Sequence, residues 1–298
     1  MRPGQGAQSL FGKSRKGDFL SGTGPLPHPA TQRQYPMGGR VGERAGAACA
    51  ARRIPNNPPG LVFRDRARNL AGMFGLLKPR VPARKRFSAT VSARLEANAE
   101  VTKATVDGIQ FYYHPNFLDR TQCDAMIRMI DADRRPSTLL SEQADDGFRT
   151  SESCDMSRWS PDVRPIDEAI ADLLGITHEN GETMQGQRYA PGQHFRAHHD
   201  YFHESEYYWQ RMKNEGGQRT WTAMIYLNDV AEGGATWFPT AGIRVAPKRG
   251  LLLAWNNMKP DGTPNEMTLH EGMPVEKGVK YIITKWFREA SWLAQAGM

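Results

Sequence analysis

The feature that most constrains the fold is a series of short apolar stretches between residues 183 and 289. Gly, Pro, Asn or Asp separates each stretch from the next. Those that read as β-strands are 183–190, 195–202, 220–229, 235–239, 243–247, 250–257, 267–272, 273–277 and 279–289. Many short, closely spaced strands with turn residues between them predict an antiparallel sandwich or barrel.

Amphipathic patterns precede these strands. One covers residues 119–133, with Asp119 in position to cap the helix, and another covers residues 161–176. Weaker patterns indicate a short helix at 89–100 and strands at 108–117 and 148–156. Because helices come first and the strand-rich part second, the sequence predicts an α+β domain whose functional site lies in the β half.

The first 90 residues differ from the rest in composition. They carry 17 Lys and Arg against 3 Asp and Glu, a balance of +14, whereas the remaining 208 residues carry 22 against 29, a balance of −7. They also hold 10 of the 20 prolines and 13 of the 29 glycines. Such a segment buries too little apolar surface to offset its chain entropy. We therefore predict a disordered basic tail at 1–90 and one folded domain at 91–298.

The role of the tail is left open by the sequence. We favour a solvated tail, which includes the case of an over-extended reading frame whose true start is Met73. The alternatives are an organelle transit peptide, or an arm that touches nucleic acid or anionic lipid, with nucleic acid the less favoured partner. No secretory signal, membrane span or cysteine framework is recognisable, so we expect a soluble cytoplasmic protein that needs no membrane.

The stretch FRAHHDYF, residues 195–202, contains the first candidate metal ligands. Residues two apart in a strand project from the same face, so His198 and Asp200 point together and His199 points away. This tripeptide alone is weak evidence. His270, in TLHEG, supplies a second imidazole. Two histidines and one carboxylate with open positions are typical of non-haem Fe(II) oxygenases, although zinc also accepts such ligands.

Lys280, which follows His270 in the sequence, is a further candidate for the same site. Lys280 lies ten residues after His270, beyond a turn at EKG. A buried lysine beside a metal needs an anion, and the distal carboxylate of a chelating oxo-acid is one. By alternation Lys280 shares a strand face with Ile282, Thr284 and Trp286, so Trp286 can wall the same pocket.

The order and spacing of these motifs resemble a known family. Between residues 108 and 289 the chain contains Y-x8-H-x-D, then GGQR, then GGxTxFP, then H-x9-K-x5-W. In this combination it resembles the 2-oxoglutarate- and Fe(II)-dependent prolyl 4-hydroxylases. The resemblance implies a double-stranded β-helix (jelly-roll) core supported by N-terminal helices.

The resemblance also implies roles at the matching positions. The implied Fe(II) ligands are His198, Asp200 and His270. The implied 2-oxoglutarate pocket consists of Lys280, which would pair with the 5-carboxylate, and Tyr189, Thr236 and Trp286. Arg219, in GGQR, would lie near the peptide groove. We add Arg149, in RTS, as a second candidate for the groove, with pairing to a nearby carboxylate as the alternative.

The implied reaction hydroxylates a prolyl residue of a peptide or protein. 2-Oxoglutarate and O2 would be co-substrates, succinate and CO2 products, and ascorbate the reductant. Two positions depart from the family pattern. Ala235 replaces the acid of a GGET turn, and Arg288 stands where a histidine is common. We expect Arg288 to affect the choice of peptide rather than the chemistry. No oligomeric state is indicated.

Three alternatives remain at this stage. The same chemistry could act on a free amino acid or small metabolite. A zinc hydrolase is a different class, but it leaves Lys280 unexplained and lacks a glutamate beside the ligands to serve as general base. A non-catalytic peptide-binding module on a decayed oxygenase fold is the third, and the presence of all three ligands and the lysine argues against decay.

Overall fold

The computed structural model describes residues 82–139 and 147–292. The helices in these ranges are α1 (Ala83–Glu96), α2 (Arg120–Asp133), α3 (Arg164–Leu174) and α4 (Trp209–Asn214), with single 3-10 turns at His178–Asn180 and Glu266–Thr268. Within the described part of the chain, no helix has both the length and the apolar character needed to cross a membrane.

Most of the strands lie in the second half of the chain, as the sequence predicts. In chain order they are β1 (Thr102–Lys103), β2 (Phe111–His114), β3 (Arg135–Pro136), β4 (Glu152–Met156), β5 (Met184–Tyr189), β6 (Phe195–His198), β7 (Arg219–Tyr226), β8 (Glu232–Gly233), β9 (Thr236–Phe238), β10 (Ile243–Val245), β11 (Leu252–Asn256), β12 (His270–Gly272), β13 (Val275–Lys277) and β14 (Lys280–Arg288).

These strands form two main antiparallel sheets. The large sheet has eight strands in the order β1-β2-β11-β7-β14-β5-β4-β3, and the small sheet has four in the order β10-β9-β12-β6. A two-stranded ribbon pairs β13 with β8. The expected α+β class with a jelly-roll core of two antiparallel sheets is therefore confirmed.

Packing arranges the described helices and sheets of the folded domain in three layers. One face of the large sheet carries Trp221 and Ile283, which belong to a single apolar core with Met126 of α2 and Ile170 of α3. On the other face, Phe238 of the small sheet meets an aromatic ring of the large sheet edge-on, with 5.3 Å between its centroid and that of Trp255. Because β7 and β14 are covered on both faces, they are almost entirely buried.

Local signals explain where the helices begin and end. The predicted cap at Asp119 is confirmed: the Gln122 amide donates to its carboxylate at 2.8 Å, and the Asp119 amide donates back to the Gln122 side chain at 3.0 Å. Helix α3 carries Pro165 in its first turn, where no amide hydrogen is needed. It ends at Leu174 and is capped by Gly175, whose φ of 65° favours glycine.

The folded domain begins earlier than residue 91. Helix α1 starts at Ala83, and Ser88 is already buried on the face that continues with Val91 and Leu95. Arg84 pairs with Glu204 and Glu289 of the folded domain. The basic composition of residues 83–90 thus hides a helix whose first charges have partners far along the chain. The rest of the predicted tail, residues 1–81, lies outside the described residues.

Candidate active site

The three candidate metal ligands meet at one edge of the small sheet. His198 ends β6 and His270 begins β12, and the two residues face each other directly in the antiparallel pair. Asp200 follows two residues after the end of β6, in a bend rather than in the strand. One ligand atom from each side chain lies within 4.8 Å of the other two. The structure therefore brings together the trio that the sequence indicates.

Backbone carbonyls orient both imidazoles. Nδ1 of His198 lies 2.8 Å from the carbonyl oxygen of Arg196, and Nδ1 of His270 lies 2.8 Å from that of Thr268. Since a carbonyl oxygen can only accept, each Nδ1 carries the proton and donates it. Each Nε2 then presents its lone pair, as a metal requires.

The Asp200 carboxylate is held by two further buried side chains. Its Oδ2 accepts a hydrogen bond of 2.8 Å from the Thr222 hydroxyl. The Thr222 oxygen in turn accepts a hydrogen bond of 2.8 Å from the Asn257 amide. Because Asn257 occupies an acceptor position of this hydroxyl, the single hydroxyl proton is directed to Asp200. We call this chain the Asn257–Thr222–Asp200 relay.

The protonation states at this edge suit metal binding. Burial, reinforced by the neighbouring His270, lowers the pKa of His198 to about 3, so its imidazole is neutral. Burial alone would raise the pKa of Asp200. The Arg219 charge and the Thr222 hydrogen bond act in the opposite direction, and the net shift of the Asp200 pKa is downward, so the carboxylate is ionised.

This donor set fits ferrous iron. Two imidazole nitrogens and one carboxylate are the protein ligands of the facial site in non-haem Fe(II) oxygenases, which leaves positions for a chelating co-substrate. Aromatic rings enclose the ligands: Phe195 stacks on His198 with centroids 3.7 Å apart, and Phe238 stacks on His270 at 5.0 Å. An apolar shell of this kind limits the access of solvent to the site.

Lys280 lies in the same cavity as the three ligands. It begins β14 and pairs with Tyr189, the last residue of β5. Its side chain is 1% exposed, and burial lowers its pKa to about 7. No carboxylate among the described residues pairs with it, and its Nζ lies 5.1 Å from the Tyr189 ring and 5.5 Å from the Tyr226 ring. A buried ammonium in this setting fits an anionic ligand, such as the distal carboxylate of 2-oxoglutarate.

The other residues predicted for the co-substrate pocket also line this cavity. Tyr189, Thr236 and Trp286 all contribute to its wall, together with Ile282 and Thr284 from the face that alternation assigns to β14. The Tyr189 hydroxyl donates to Gln187 at 2.7 Å, and the Tyr226 hydroxyl donates to Thr236 at 2.7 Å. Hydrogen bonds thus fix the polar part of the wall before any ligand enters.

A groove opens from this cavity. Its wall shares Phe195, His198, Asp200 and Trp286 with the cavity. The aromatic residues along it are Phe148, Phe195, Tyr201, Phe202, Tyr208 and Trp286. The groove is therefore concave, rich in aromatic rings and continuous with the candidate metal site.

Both predicted groove arginines line it. Arg149 reaches the cavity as well as the groove. It donates to the Ser151 hydroxyl and to Gln185, each at 3.0 Å, and its guanidinium carbon lies 4.7 Å from the Phe195 ring. Among the described residues it makes no ion pair with a carboxylate, so the alternative of simple pairing gains no support. Arg219 pairs with Glu182 through two hydrogen bonds of 2.6 and 2.7 Å.

Several residues that contact the predicted site residues without being metal ligands themselves could not be identified from the sequence. Thr222 and Asn257 escape notice because their contacts depend on the register of β7 against its neighbours. Glu182 sits in an unremarkable loop before β5. Gln187 was discoverable in principle, since it lies two positions before Tyr189 on the same strand face.

Comparison with known proteins agrees with this geometry. Residues 184–288 match the family model described as the 2OG-Fe(II) oxygenase superfamily. Prolyl 4-hydroxylase 5 of Arabidopsis thaliana is 36% identical over 229 residues, which cover 68% of this chain and 76% of the relative. A second relative from the same plant, named "Probable prolyl 4-hydroxylase 8", is 36% identical over 202 residues, which cover 59% of this chain and 67% of the relative.

Among solved structures, the viral collagen prolyl hydroxylase from Paramecium Bursaria Chlorella virus-1 is 27% identical. The match covers 62% of this chain and 99% of that chain, with a TM-score of 0.49. The identity and coverage of the plant relatives, together with the matched family model, decide the classification. The chain belongs to the prolyl 4-hydroxylase family and is a 2-oxoglutarate-dependent dioxygenase that uses Fe(II).

Proposed function

We propose that the protein hydroxylates prolyl residues within a peptide or protein, with Fe(II) held by His198, Asp200 and His270. The observation that carries the proposal is Lys280, a buried cation without a described carboxylate partner in the cavity of these three ligands. A cation in that position is costly unless an anion joins it. Lys280 therefore binds the 5-carboxylate of 2-oxoglutarate.

The bound metal and co-substrate supply the oxidative chemistry, in which 2-oxoglutarate is decarboxylated to succinate while a C–H bond is hydroxylated. The protein provides binding and orientation. Lys280 and the hydroxyl-rich wall at Tyr189 and Thr236 hold the far end of the co-substrate. The hydrogen bonds of the Asn257–Thr222–Asp200 relay favour the ionised form of the Asp200 carboxylate and fix its orientation. No side chain has to act as a general base.

The groove supports a prolyl peptide as the substrate. Aromatic-lined grooves bind proline-rich segments in their extended helical form, because the proline rings pack on aromatic faces and little chain entropy is lost. Here the aromatic rings follow the groove up to Trp286, which also walls the cavity. A prolyl side chain bound beside Trp286 would therefore lie next to the metal ligands.

The test is succinate formation from 2-oxoglutarate with Fe(II), and with ascorbate as the proposed reductant. Wild-type protein should release succinate, and Asp200→Ala should not, because the variant lacks the carboxylate ligand. Equal succinate release by both proteins would contradict the assignment of the ligands.

The substrate is tested in the same mixtures by mass spectrometry. We expect proline-rich peptides to gain the mass of one oxygen atom and free L-proline to remain unmodified. Hydroxylation of free L-proline with no change in the peptides would instead assign the chemistry to a free amino acid. Omission of ascorbate should shorten the time over which turnover is sustained.

A further inference from the structure

Arg149 is a second cation in the cavity of the metal ligands. It lines both the cavity and the groove, so it lies at the neck where the two meet. The residue keeps partial contact with solvent, yet desolvation by the surrounding protein lowers the pKa of its guanidinium below the usual value. An arginine nevertheless stays ionised at neutral pH. Because a desolvated charge is costly without a counter-charge, the surroundings of this guanidinium indicate what it binds.

Neutral side chains hold the guanidinium of Arg149. Its Nε donates to the Ser151 hydroxyl and its Nη2 to the side-chain oxygen of Gln185, each at 3.0 Å. The structure shows no hydrogen bond from Nη1 to a described residue, and no carboxylate within residues 82–139 and 147–292 forms an ion pair with Arg149. The two contacts fix the orientation of the fork, while its charge and the Nη1 donors remain available for a ligand.

Main-chain pairing also fixes the position of Arg149. The residue forms an antiparallel bridge with Phe195 of β6, and the amide of Arg196 donates to the carbonyl of Phe148 at 2.9 Å. The guanidinium carbon then lies 4.7 Å from the centroid of the Phe195 ring, which stacks on His198. The cation is therefore held beside a metal ligand by the edge of the small sheet.

The register of the large sheet separates Arg149 from Lys280. Lys280 of β14 pairs with Tyr189 of β5, whereas Thr284 pairs with Gln185, the side chain that accepts from Arg149. Four residues of an extended strand lie between these two pairs, a distance of roughly 13 Å. The two cations therefore reach the same cavity from different ends.

The metal ligands belong to the Arg149 end of the cavity. Trp286 of β14 pairs with Thr222, the residue that donates to Asp200, and this pair is six positions along β14 from Lys280. The Asp200 charge is near enough to act on Arg149, whose pKa it raises against the effect of desolvation. A metal ion held by Asp200 would take up that negative charge, which leaves Arg149 without an anion of its own.

We propose that Arg149 is a second co-substrate cation, which binds the carboxylate of 2-oxoglutarate nearer to the metal while Lys280 binds the distal one. Two cations at opposite ends of one cavity complement the two carboxylates of a dianion, and a guanidinium is well suited to a carboxylate. The proposal rests on the proposed function for the identity of the co-substrate, but it does not depend on the peptide.

The experiment is calorimetry on full-length protein loaded with Mn(II), with two ligands. 2-Oxoglutarate carries both carboxylates, whereas 2-oxobutyrate carries only the one beside the keto group. Arg149→Gln should weaken the binding of both ligands about ten- to hundredfold, the contribution of one charge-assisted hydrogen bond. Lys280→Met should weaken the binding of 2-oxoglutarate alone. Unchanged affinity for 2-oxobutyrate in Arg149→Gln overturns the proposal, and a raised KM for the peptide in the same variant would then assign Arg149 to the peptide.

A second set of variants separates this role from a loss of structure. Gln185→Glu gives the guanidinium an internal anion of the same size, so it should also weaken the binding of 2-oxobutyrate. Arg149→Lys keeps the charge and should restore part of the affinity. Arg188→Gln is the matched control, because Arg188 pairs with Glu152 on the opposite face of β5, and it should leave both affinities unchanged.

Mn(II) affinity shows whether the metal ligands are disturbed. Arg149→Gln removes a positive charge beside a cation site, so it should not weaken Mn(II) binding. If Mn(II) binding is weaker, Gln185→Glu decides: an unchanged affinity of that variant for 2-oxobutyrate overturns the proposal.

Failure of the proposed function gives a different result. If wild-type protein binds 2-oxoglutarate but leaves every proline-rich peptide unmodified, the prolyl substrate is wrong and the role of Arg149 stands. If Lys280→Met binds 2-oxoglutarate as wild-type protein does, the assignment of the distal carboxylate is wrong, and Arg149 is still judged by 2-oxobutyrate.

Discussion

Replacement of Thr222 by valine tests how the protein prepares Asp200 for a metal. Valine retains the branched shape of threonine but cannot donate to the carboxylate. Thr222 is fully buried, so water cannot take the place of the hydroxyl without a rearrangement of the packing. The change also removes the acceptor of the Asn257 amide, so the hydrogen bonds of Thr222 to both Asp200 and Asn257 are lost.

The size of the effect follows from these two bonds. A hydrogen bond to a charged group contributes about 1.5–3 kcal/mol, which corresponds to about ten- to hundredfold in affinity for a divalent metal. The unpaired Asn257 amide destabilises the fold by a further ~1–3 kcal/mol. Thr222→Val should therefore weaken metal binding about ten- to hundredfold and lower the free energy of unfolding.

The assay is titration of metal-free protein with Mn(II), followed by the signal of the free ion in electron paramagnetic resonance. Thr220→Val is a matched control. Thr220 lies on the same strand and is equally buried, but its hydroxyl donates to the carbonyl of Phe287. It should lower stability without a change in Mn(II) affinity. Thr222→Ser should retain most of the affinity because it keeps the hydroxyl.

The reasoning would be refuted by equal Mn(II) affinities of wild-type and Thr222→Val protein. It would also be refuted if Thr220→Val weakened Mn(II) binding to the same extent, because the loss would then reflect general destabilisation of β7 rather than the orientation of Asp200.

Two other expectations concern buried charges. Since the pKa of Lys280 is about 7, its cationic form declines above that pH, and the affinity of the metal-loaded protein for 2-oxoglutarate should fall towards about tenfold per pH unit; calorimetry with 2-oxobutyrate, which lacks the distal carboxylate, should show no such decline. Asp167→Asn leaves Lys285 buried without its anion and should lower the free energy of unfolding in urea by about 3–5 kcal/mol. Glu168→Gln breaks an exposed pair on the same helix and should leave the free energy of unfolding nearly unchanged.

The alternation of side chains made much of the site predictable. Lys280 and Trp286 are six apart on β14, so a strand period of two places them on one face. The same period predicted that His198 and Asp200 point together, and their ligand atoms do lie close, although Asp200 is in a bend just beyond β6. The spacing from His270 to Lys280 allowed one turn between two strands. Each of these relations joins residues within about ten positions of one another, so a single sequence is enough to detect it.

The residues that support the site were hidden for the opposite reason. Thr222 donates to Asp200 across 22 positions, and Asn257 reaches Thr222 across 35. Such contacts depend on which strands are neighbours and in what register, and that is decided by the packing of the whole sheet. Composition misled in another way: the positive charge of residues 83–90 suggested a tail, although Arg84 has acidic partners more than a hundred residues away.

The position of the ligands has a mechanical consequence. β6 is the outermost strand of the small sheet, and β12 is its neighbour in that sheet. An ion coordinated by His198 and His270 would cross-link these two strands. Because the ion binds only when β6 is paired with β12, its binding free energy would stabilise that pairing. Removal of iron should therefore increase local unfolding at β6 before the rest of the domain is affected.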